Sequence, residues 1–100
     1  MRLDLAGLRS IDLNKLIIFM AIYREASVSE TACILGVTQP AVSNVLSELR
    51  ECFGDPLFVR RDGGMQPTTA ANAIAECLMP VLTSLSDLVE QFKLGKHRLL

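Results

Sequence analysis

The chain has 100 residues, half of them hydrophobic, 5% aromatic and none Trp. This length allows one small domain, and the aliphatic composition favours a mainly helical core over a strand-rich one. The formal net charge of -1 argues against indiscriminate binding to polyanions, so any nucleic-acid site must depend on local charge.

Residues 1–10 mix charged residues with Leu and Gly, and we expect them to form a flexible leader. Nothing there resembles a signal peptide, and no apolar run in the chain approaches membrane-spanning length, so we expect no membrane association. Asp12 is the predicted N-cap of a first helix that runs to about Arg24 or Glu25.

The first helix is apolar on two sides. Its predicted core stripe consists of Leu13, Leu16, Ile17, Met20 and Tyr23, and its other side of Ile18, Phe19, Ala21 and Ile22. A helix that is apolar all round must be covered twice. One cover is the rest of the domain. The other is either a partner subunit, which would place Phe19 at a dimer contact, or the last helix of this chain, and the sequence leaves both open.

Residues 27–53 predict two helices joined by a tight turn. Ser27 and Glu30 have the spacing of a capping box, Gly36 supplies the left-handed residue that ends the first helix, and Thr38 can cap the second. Pro40 falls in the first turn of that helix, where its missing N–H is tolerated. The outline is a helix-turn-helix, although an ordinary helical hairpin with a polar outer face would produce the same outline.

The second of these helices has one apolar face and one face of small or amide-bearing residues. The apolar face, predicted to be buried, consists of Val42, Leu46, Leu49 and Phe53. No carboxylate occurs from Thr38 to Ser47, and Gln and Asn can pair with adenine edges in a major groove. The candidate DNA-binding residues of this unit are Ser29, Thr38, Gln39, Pro40, Ser43, Asn44 and Ser47.

A short hairpin is predicted after the helix-turn-helix. Residues 57–60 favour a strand anchored by Leu57 and Phe58, residues 62–64 a turn, and residues 65–67 the returning strand. Arg60 and Arg61 would then lie beside the second helix, where they could bind phosphate or a narrow minor groove. Two solvated arginines are the alternative, and for Arg61 the two interpretations are equally supported.

Thr68 is the predicted cap of a last helix that runs to about Phe92. Apolar residues follow steps of three and four along it, which is typical of helix pairing between subunits. Pro80 should kink the helix. Together with Phe19, the candidate dimerisation residues are Ile74, Leu78, Val81, Leu85, Leu88 and Phe92.

The residue types needed for catalysis or metal binding are scarce. Cys33, Cys52 and Cys77 are widely spaced within apolar patterns and are expected to be buried free thiols, and the only His is His97. We therefore predict no catalytic residues, no metal site, no cofactor and no enzyme activity.

The chain resembles the LysR-type transcriptional regulators. The resemblance covers residues 11–92 and lies in Asp12, Leu13, Leu16, Phe19, Ser27, Ala32, Leu35, Thr38–Ser43, Leu46, Leu49, Gly54 and Leu57–Arg60. Thr31 stands where the family usually has Ala, and Gly63 where an Arg is frequent in the wing. Arg50 replaces a common Glu, as in a subgroup similar to the nodulation and leucine-operon regulators.

The resemblance implies a mainly α, winged helix-turn-helix fold with a two-stranded wing and a long C-terminal dimerisation (linker) helix. We expect a flexible leader at 1–10, the DNA-binding domain at 11–67, the linker helix at 68–93 and a tail at 94–100. The implied function is that of a cytoplasmic transcription regulator, a homodimer or higher homo-oligomer on a partly palindromic double-stranded DNA operator. A small-molecule effector would bind only through a C-terminal domain that this chain lacks. The alternative is a small helical dimerisation module that binds protein without reading DNA.

Overall fold

The computed structural model describes residues 2–93, so the predicted tail at 94–100 lies outside the described residues. It confirms a mainly α fold with a two-stranded sheet and a long last helix. The elements are α1 (Leu5–Leu8), α2 (Leu13–Glu25), α3 (Val28–Leu35), α4 (Gln39–Phe53), β1 (Phe58–Arg61), β2 (Gly64–Pro67) and α5 (Thr69–Gln91). The single turn α1 lies in the expected leader, and all its residues are exposed.

Local hydrogen bonds fix where the long helices begin. Each predicted cap accepts a backbone N–H of the first turn, so the predicted starts are confirmed. The bonds are Asn14 N to Asp12 at 3.0 Å, Glu30 N to Ser27 at 3.1 Å, Ala41 N to Thr38 at 3.2 Å and Ala71 N to Thr68 at 3.1 Å. Gly36 ends α3 with a φ of 70°, as predicted.

The core lies between α2, α3, α4, the hairpin and the first turns of α5. Val42, Leu46 and Leu49 of α4 are buried as predicted. Phe53 was predicted to be buried with them and is 42% exposed, because α4 has passed the core by its last residue. Thr31 is fully buried, and its hydroxyl donates to the Ser27 carbonyl at 2.7 Å, which satisfies the added polar group.

The prediction of which face of α2 is buried in the core is wrong. The buried residues are those assigned to its other side, Ile18, Phe19, Ala21 and Ile22, whereas Leu13 and Ile17 are exposed. The side chain of Phe19 is fully buried against the rings of Tyr23 and Phe58, with centroids 6.3 and 5.4 Å away. Because this burial is complete within one chain, Phe19 has no surface left for a dimer contact.

The hairpin is anchored as predicted, by the fully buried Leu57 and the almost fully buried Phe58. The strand begins at Phe58 rather than Leu57, because Leu57 has a left-handed backbone with a φ of 63°. At the tip, Arg61 pairs with Gly64 across a turn formed by Asp62 and Gly63. Both turn residues have positive φ, 50° and 79°, which matches the twist of a two-residue hairpin loop.

The last helix packs on α2 and on β2 through its N-terminal half. Ala71 and Ala75 are buried there, and the Tyr23 hydroxyl donates to Asn72 Oδ1 at 2.8 Å. This contact supports the alternative in which the chain's own last helix covers α2. Beyond it, Val81 and Leu88 of α5 and Phe92 at its C-cap are 58%, 48% and 53% exposed.

Two further expectations from the sequence are wrong. All three cysteines are free and exposed, because they flank the buried positions of their helices. Among the described helices, α5 alone is long and apolar enough to cross a membrane by length and composition, contrary to the expectation that no run approaches this length. Helical spacing places Glu76, Asp87 and Glu90 opposite its apolar stripe, and such charges are costly in lipid.

Candidate nucleic-acid interface

All nine candidate DNA-binding side chains are exposed. They lie on three elements: Ser29 on α3, Arg60 and Arg61 on β1, and the remainder between the N-cap Thr38 and the middle of α4. We call five exposed residues of α4, which are Gln39, Pro40, Ser43, Asn44 and Ser47, the recognition face. Exposure leaves each of these side chains available to a ligand.

The recognition face begins at a capped helix N-terminus. Thr38 Oγ1 accepts the Ala41 N–H at 3.2 Å, so this hydroxyl oxygen serves the cap. Gln39 and Pro40 occupy the first turn, where unpaired backbone N–H groups and the helix dipole favour negative charge. Ser29 lies apart, with its Oγ 3.1 Å from the Ser27 Oγ that caps α3.

A cleft of about 460 Å³ separates α4 from the hairpin. It brings Ser43 and Ser47 of the recognition face together with Arg60 of β1. The other candidates, Ser29, Thr38, Gln39, Pro40, Asn44 and Arg61, lie outside its lining. The full lining is Val28, Ser43, Leu46, Ser47, Arg50, Pro56, Phe58, Val59, Arg60 and Met65.

Arg50 is the charged residue of the cleft lining that the sequence analysis did not select as a DNA-binding candidate. Its guanidinium joins α4 to the hairpin, because Nε donates to the Pro56 carbonyl at 2.8 Å and Nη2 to the Phe58 carbonyl at 2.9 Å. Residues 43, 47 and 50 step by four and three, so helical spacing already placed Arg50 on the same stripe as Ser43 and Ser47. That spacing was the available signal.

The charges around the site are locally favourable to an anion. The ion pairs formed by the described residues are Lys15–Glu48, Arg24–Glu25 and Lys93–Glu90, and none of them uses Arg60 or Arg61. Glu48 is the first carboxylate of α4, and Lys15 of α2 lies 3.5 Å from it. The exposed positive charges of β1 therefore have no acidic partner in the described structure.

A second, apolar groove of about 500 Å³ lies between α2 and α5. Its lining is Leu16, Ala73, Ile74, Cys77, Leu78 and Val81, which includes three of the candidate dimerisation residues. Within residues 2–93, no group of three or more His, Cys, Asp or Glu side chains is placed to hold a metal ion.

Residues 13–72 match the family described as bacterial regulatory helix-turn-helix protein, lysR family. A curated relative is the HTH-type transcriptional activator NahR of Pseudomonas putida, which is 45% identical over 83 residues. The alignment covers 83% of this chain and 28% of NahR, so the chain spans less than a third of that relative.

Solved structures share the fold. A probable transcriptional regulator from Pseudomonas aeruginosa, PA0477, superposes with a TM-score of 0.80 at 36% identity, over 85% of this chain and 28% of that one. The BenM_DBD/catB site 1 DNA complex superposes with a TM-score of 0.74, over 83% of this chain and 93% of that one. Its identity is 24%, so this second similarity concerns the fold alone.

Proposed function

Since the chain belongs to the LysR family of bacterial regulatory helix-turn-helix proteins, we propose that it is the DNA-binding part of a transcription regulator. In this proposal α4 enters the major groove of double-stranded DNA, and the hairpin, which we call the wing, contacts phosphates or the adjacent minor groove. The observation that supports it best is the cleft that joins Ser43 and Ser47 to Arg60.

The recognition face has the chemistry that base reading requires. It is exposed along the first two to three turns of α4, free of carboxylates, and it contains one Gln and one Asn. Gln39 is long enough to reach a base edge from the first turn, whereas Asn44 is shorter and lies farther along the helix. Ser43 is suited to donate to a phosphate, because the helix dipole favours an anion there.

The wing carries exposed positive charge, although the net charge of the chain is not positive. A net charge of -1 gives little general attraction to DNA, so affinity has to come from the few exposed cations beside the groove-binding helix. Arg60 borders the cleft, and both Arg60 and Arg61 are exposed. This arrangement favours a specific site over indiscriminate binding.

We further propose that two copies pair through α5. The linker stripe, by which we mean Ile74, Leu78, Val81, Leu85, Leu88 and Phe92, is partly buried at Ile74, Leu78 and Leu85 and exposed at Val81, Leu88 and Phe92. Exposed apolar residues at heptad spacing on a 23-residue helix favour a coiled-coil-like contact with a second copy. A two-fold dimer would place two recognition helices on a partly palindromic operator.

The remaining properties of the whole protein are proposals that follow from the family. They are a cytoplasmic location, no catalytic activity, and control by a small molecule through a separate effector-binding domain.

Selection from fragmented genomic DNA, followed by footprinting, tests the proposed function. We expect protected sites with two half-sites about one helical turn apart, and an affinity that falls steeply with salt because counterions are released. A small dimerisation module that binds protein through the same face would enrich no DNA sequence, and its apolar contacts would respond weakly to salt. Failure to enrich any sequence at low salt would refute the proposal.

A further inference from the structure

The Arg50 guanidinium connects the helix that enters the groove to the wing beside it. Arg50 lies in the third to fourth turn of α4, where its Nε and Nη2 donate to two backbone carbonyls, those of Pro56 and Phe58, at 2.8 and 2.9 Å. Pro56 belongs to the loop before the wing, and Phe58 is the first residue of β1. One planar side chain therefore holds the loop and the strand against the helix.

The segment that Arg50 holds has an unfavourable backbone. Leu57, between its two acceptors, has a φ of 63°, which is uncommon for a bulky side chain and persists only when the surroundings fix it. Asp55 also fixes the backbone of Leu57, since its Oδ1 accepts the Leu57 N–H at 2.7 Å and the Thr68 hydroxyl at 2.8 Å. Arg50 and Asp55 thus hold this turn between them.

The return strand of the wing packs on α2 and α5, and its Met65 side chain is buried in the core. A two-stranded hairpin is marginally stable by itself. Beyond the buried Leu57 and Phe58, its return strand is joined to the α2–α3 link by the Met65 N–H, which donates to the Ala26 carbonyl at 2.9 Å. Among the described residues, the side-chain hydrogen bonds between the recognition helix and the wing are those of Arg50.

We infer that Arg50 is a positioning residue, which sets the separation between the recognition face and Arg60 so that both reach DNA together. This inference rests on the proposed function. Arginine suits the role because its fixed fork can donate to two carbonyls at once, whereas a lysine ammonium is a compact point charge on a flexible stem. Arg50 lies in the same cleft as Ser43, Ser47 and Arg60. The distance between the two serines and Arg60 therefore depends on how Arg50 holds the wing.

The competing role for Arg50 is a direct contact with phosphate, and two variants separate the roles. Arg50→Lys keeps the charge but cannot reproduce the paired donation, so it should bind DNA as poorly as Arg50→Met if Arg50 positions the wing. Each should lower the salt slope by ~1, the same amount as Arg60→Ala, because the wing phosphate contact is lost in all three. Arg9→Gln, which removes a charge from the exposed leader, is the control and should leave the slope unchanged.

The decisive measurement is a double-mutant cycle between Arg50 and Arg60. If Arg50 acts through Arg60, Arg50→Met in an Arg60→Ala background should change operator affinity by no more than about twofold, the usual scatter of such comparisons. Fully additive losses, or normal binding by Arg50→Lys, would overturn the inference while leaving DNA binding itself intact. A parent chain that selects no DNA would instead refute the proposed function.

An NMR measurement without DNA tests the same inference. Backbone relaxation should show wing amides 59–64 to be more mobile in Arg50→Lys than in the parent chain, with the α4 amides unchanged. Thermal unfolding followed by circular dichroism verifies that each variant is folded at the assay temperature. If Arg50→Met is not folded, Arg50→Lys takes its place in the cycle, and a wing as rigid as in the parent chain would contradict the inference.

Discussion

The helices α4 and α5 are both amphipathic, but only α4 has its apolar face covered by its own chain. Val42, Leu46 and Leu49 are at most 4% exposed, so α4 presents mainly polar groups to solvent before its last turn, where Phe53 is 42% exposed. On α5, Val81 and Leu88 are about half exposed, and its carboxylates lie on the opposite face. The apolar face of α4 is therefore covered mainly within one chain, whereas part of the apolar face of α5 is left uncovered, as the proposed pairing of two copies requires.

The first way to test this comparison is to remove one Leu from each helix. Leu46→Ala should lower the free energy of unfolding by about 2–5 kcal/mol, as deletion of a well-packed core side chain does, and leave the dimer dissociation constant unchanged. Leu88→Ala is the matched control and should mainly weaken the dimer, since Leu88 is 48% exposed in the single chain. Urea unfolding and sedimentation equilibrium measure the two quantities. If the two variants changed the free energy of unfolding and the dimer dissociation constant to the same extent, the distinction between α4 and α5 would be contradicted.

The locally determined parts of this fold could be predicted from the sequence. Caps such as Ser27 and Thr38 bond to N–H groups three residues away, so a short stretch of sequence determines where α3 and α4 begin. The turn at Asp62 and Gly63 is local in the same sense. Prediction succeeded where the physical cause lies within a few residues.

The choice between two apolar faces could not be predicted. Helical periodicity showed that α2 is apolar on both sides, but the buried side depends on where Phe58 and α5 pack, which involves residues far along the chain. The role of Phe19 was assigned wrongly for that reason. Likewise, the spacing of Arg50 was visible, but its two acceptors depend on the left-handed turn at Leu57.

The second prediction concerns the uncovered helix. Leu85→Asp would place a carboxylate in the middle of the linker stripe, and we expect it to weaken the dimer by on the order of 3 kcal/mol because the charge loses its hydration. The variant should sediment as a monomer and bind the operator more weakly, since its two half-sites are no longer engaged together. Thr83→Asp adds the same charge on the opposite face and should remain dimeric. A parent chain that is monomeric at micromolar concentration would refute pairing through α5.

The third prediction concerns the polar face of α4. Gln39→Ala should reduce affinity for the cognate operator by about 1–3 kcal/mol and relax the preference at one base position, because a bidentate base contact is lost. Ser43→Ala should weaken cognate and mismatched operators alike, as the loss of a phosphate contact does. Both side chains are exposed, so thermal stability should barely change.

Competition binding against a set of single-base operator variants measures this directly. If Gln39→Ala discriminates among the variants as the parent chain does, the reading of sequence lies elsewhere. The recognition face would then be a surface that contacts DNA without reading it, and the comparison with α5 would rest on polarity alone.

The smallest expected effect belongs to the wing. Arg60→Ala should weaken binding to all operators to a similar extent and make the plot of log affinity against log salt shallower by ~1, as the loss of one phosphate contact requires. Arg61→Ala should do less, because Arg61 lies outside the cleft that Arg60 borders. An unchanged slope for Arg60→Ala would mean that this arginine is merely solvated.

Gly63 lies in the turn of the wing, where an added side chain can test how much charge the wing is able to carry. An Arg is frequent there in related wings, but in this chain the position has a φ of 79°, a conformation that favours glycine. Gly63→Arg is therefore expected to strain the turn, and any gain in affinity from the added charge would be offset by a wing less well placed on DNA. Titration of operator DNA with the Gly63→Arg and Arg60→Ala variants at several salt concentrations compares the contributions of the two positions to affinity. A tighter Gly63→Arg variant with an unchanged melting temperature would show that the turn tolerates the side chain and would contradict the expected strain.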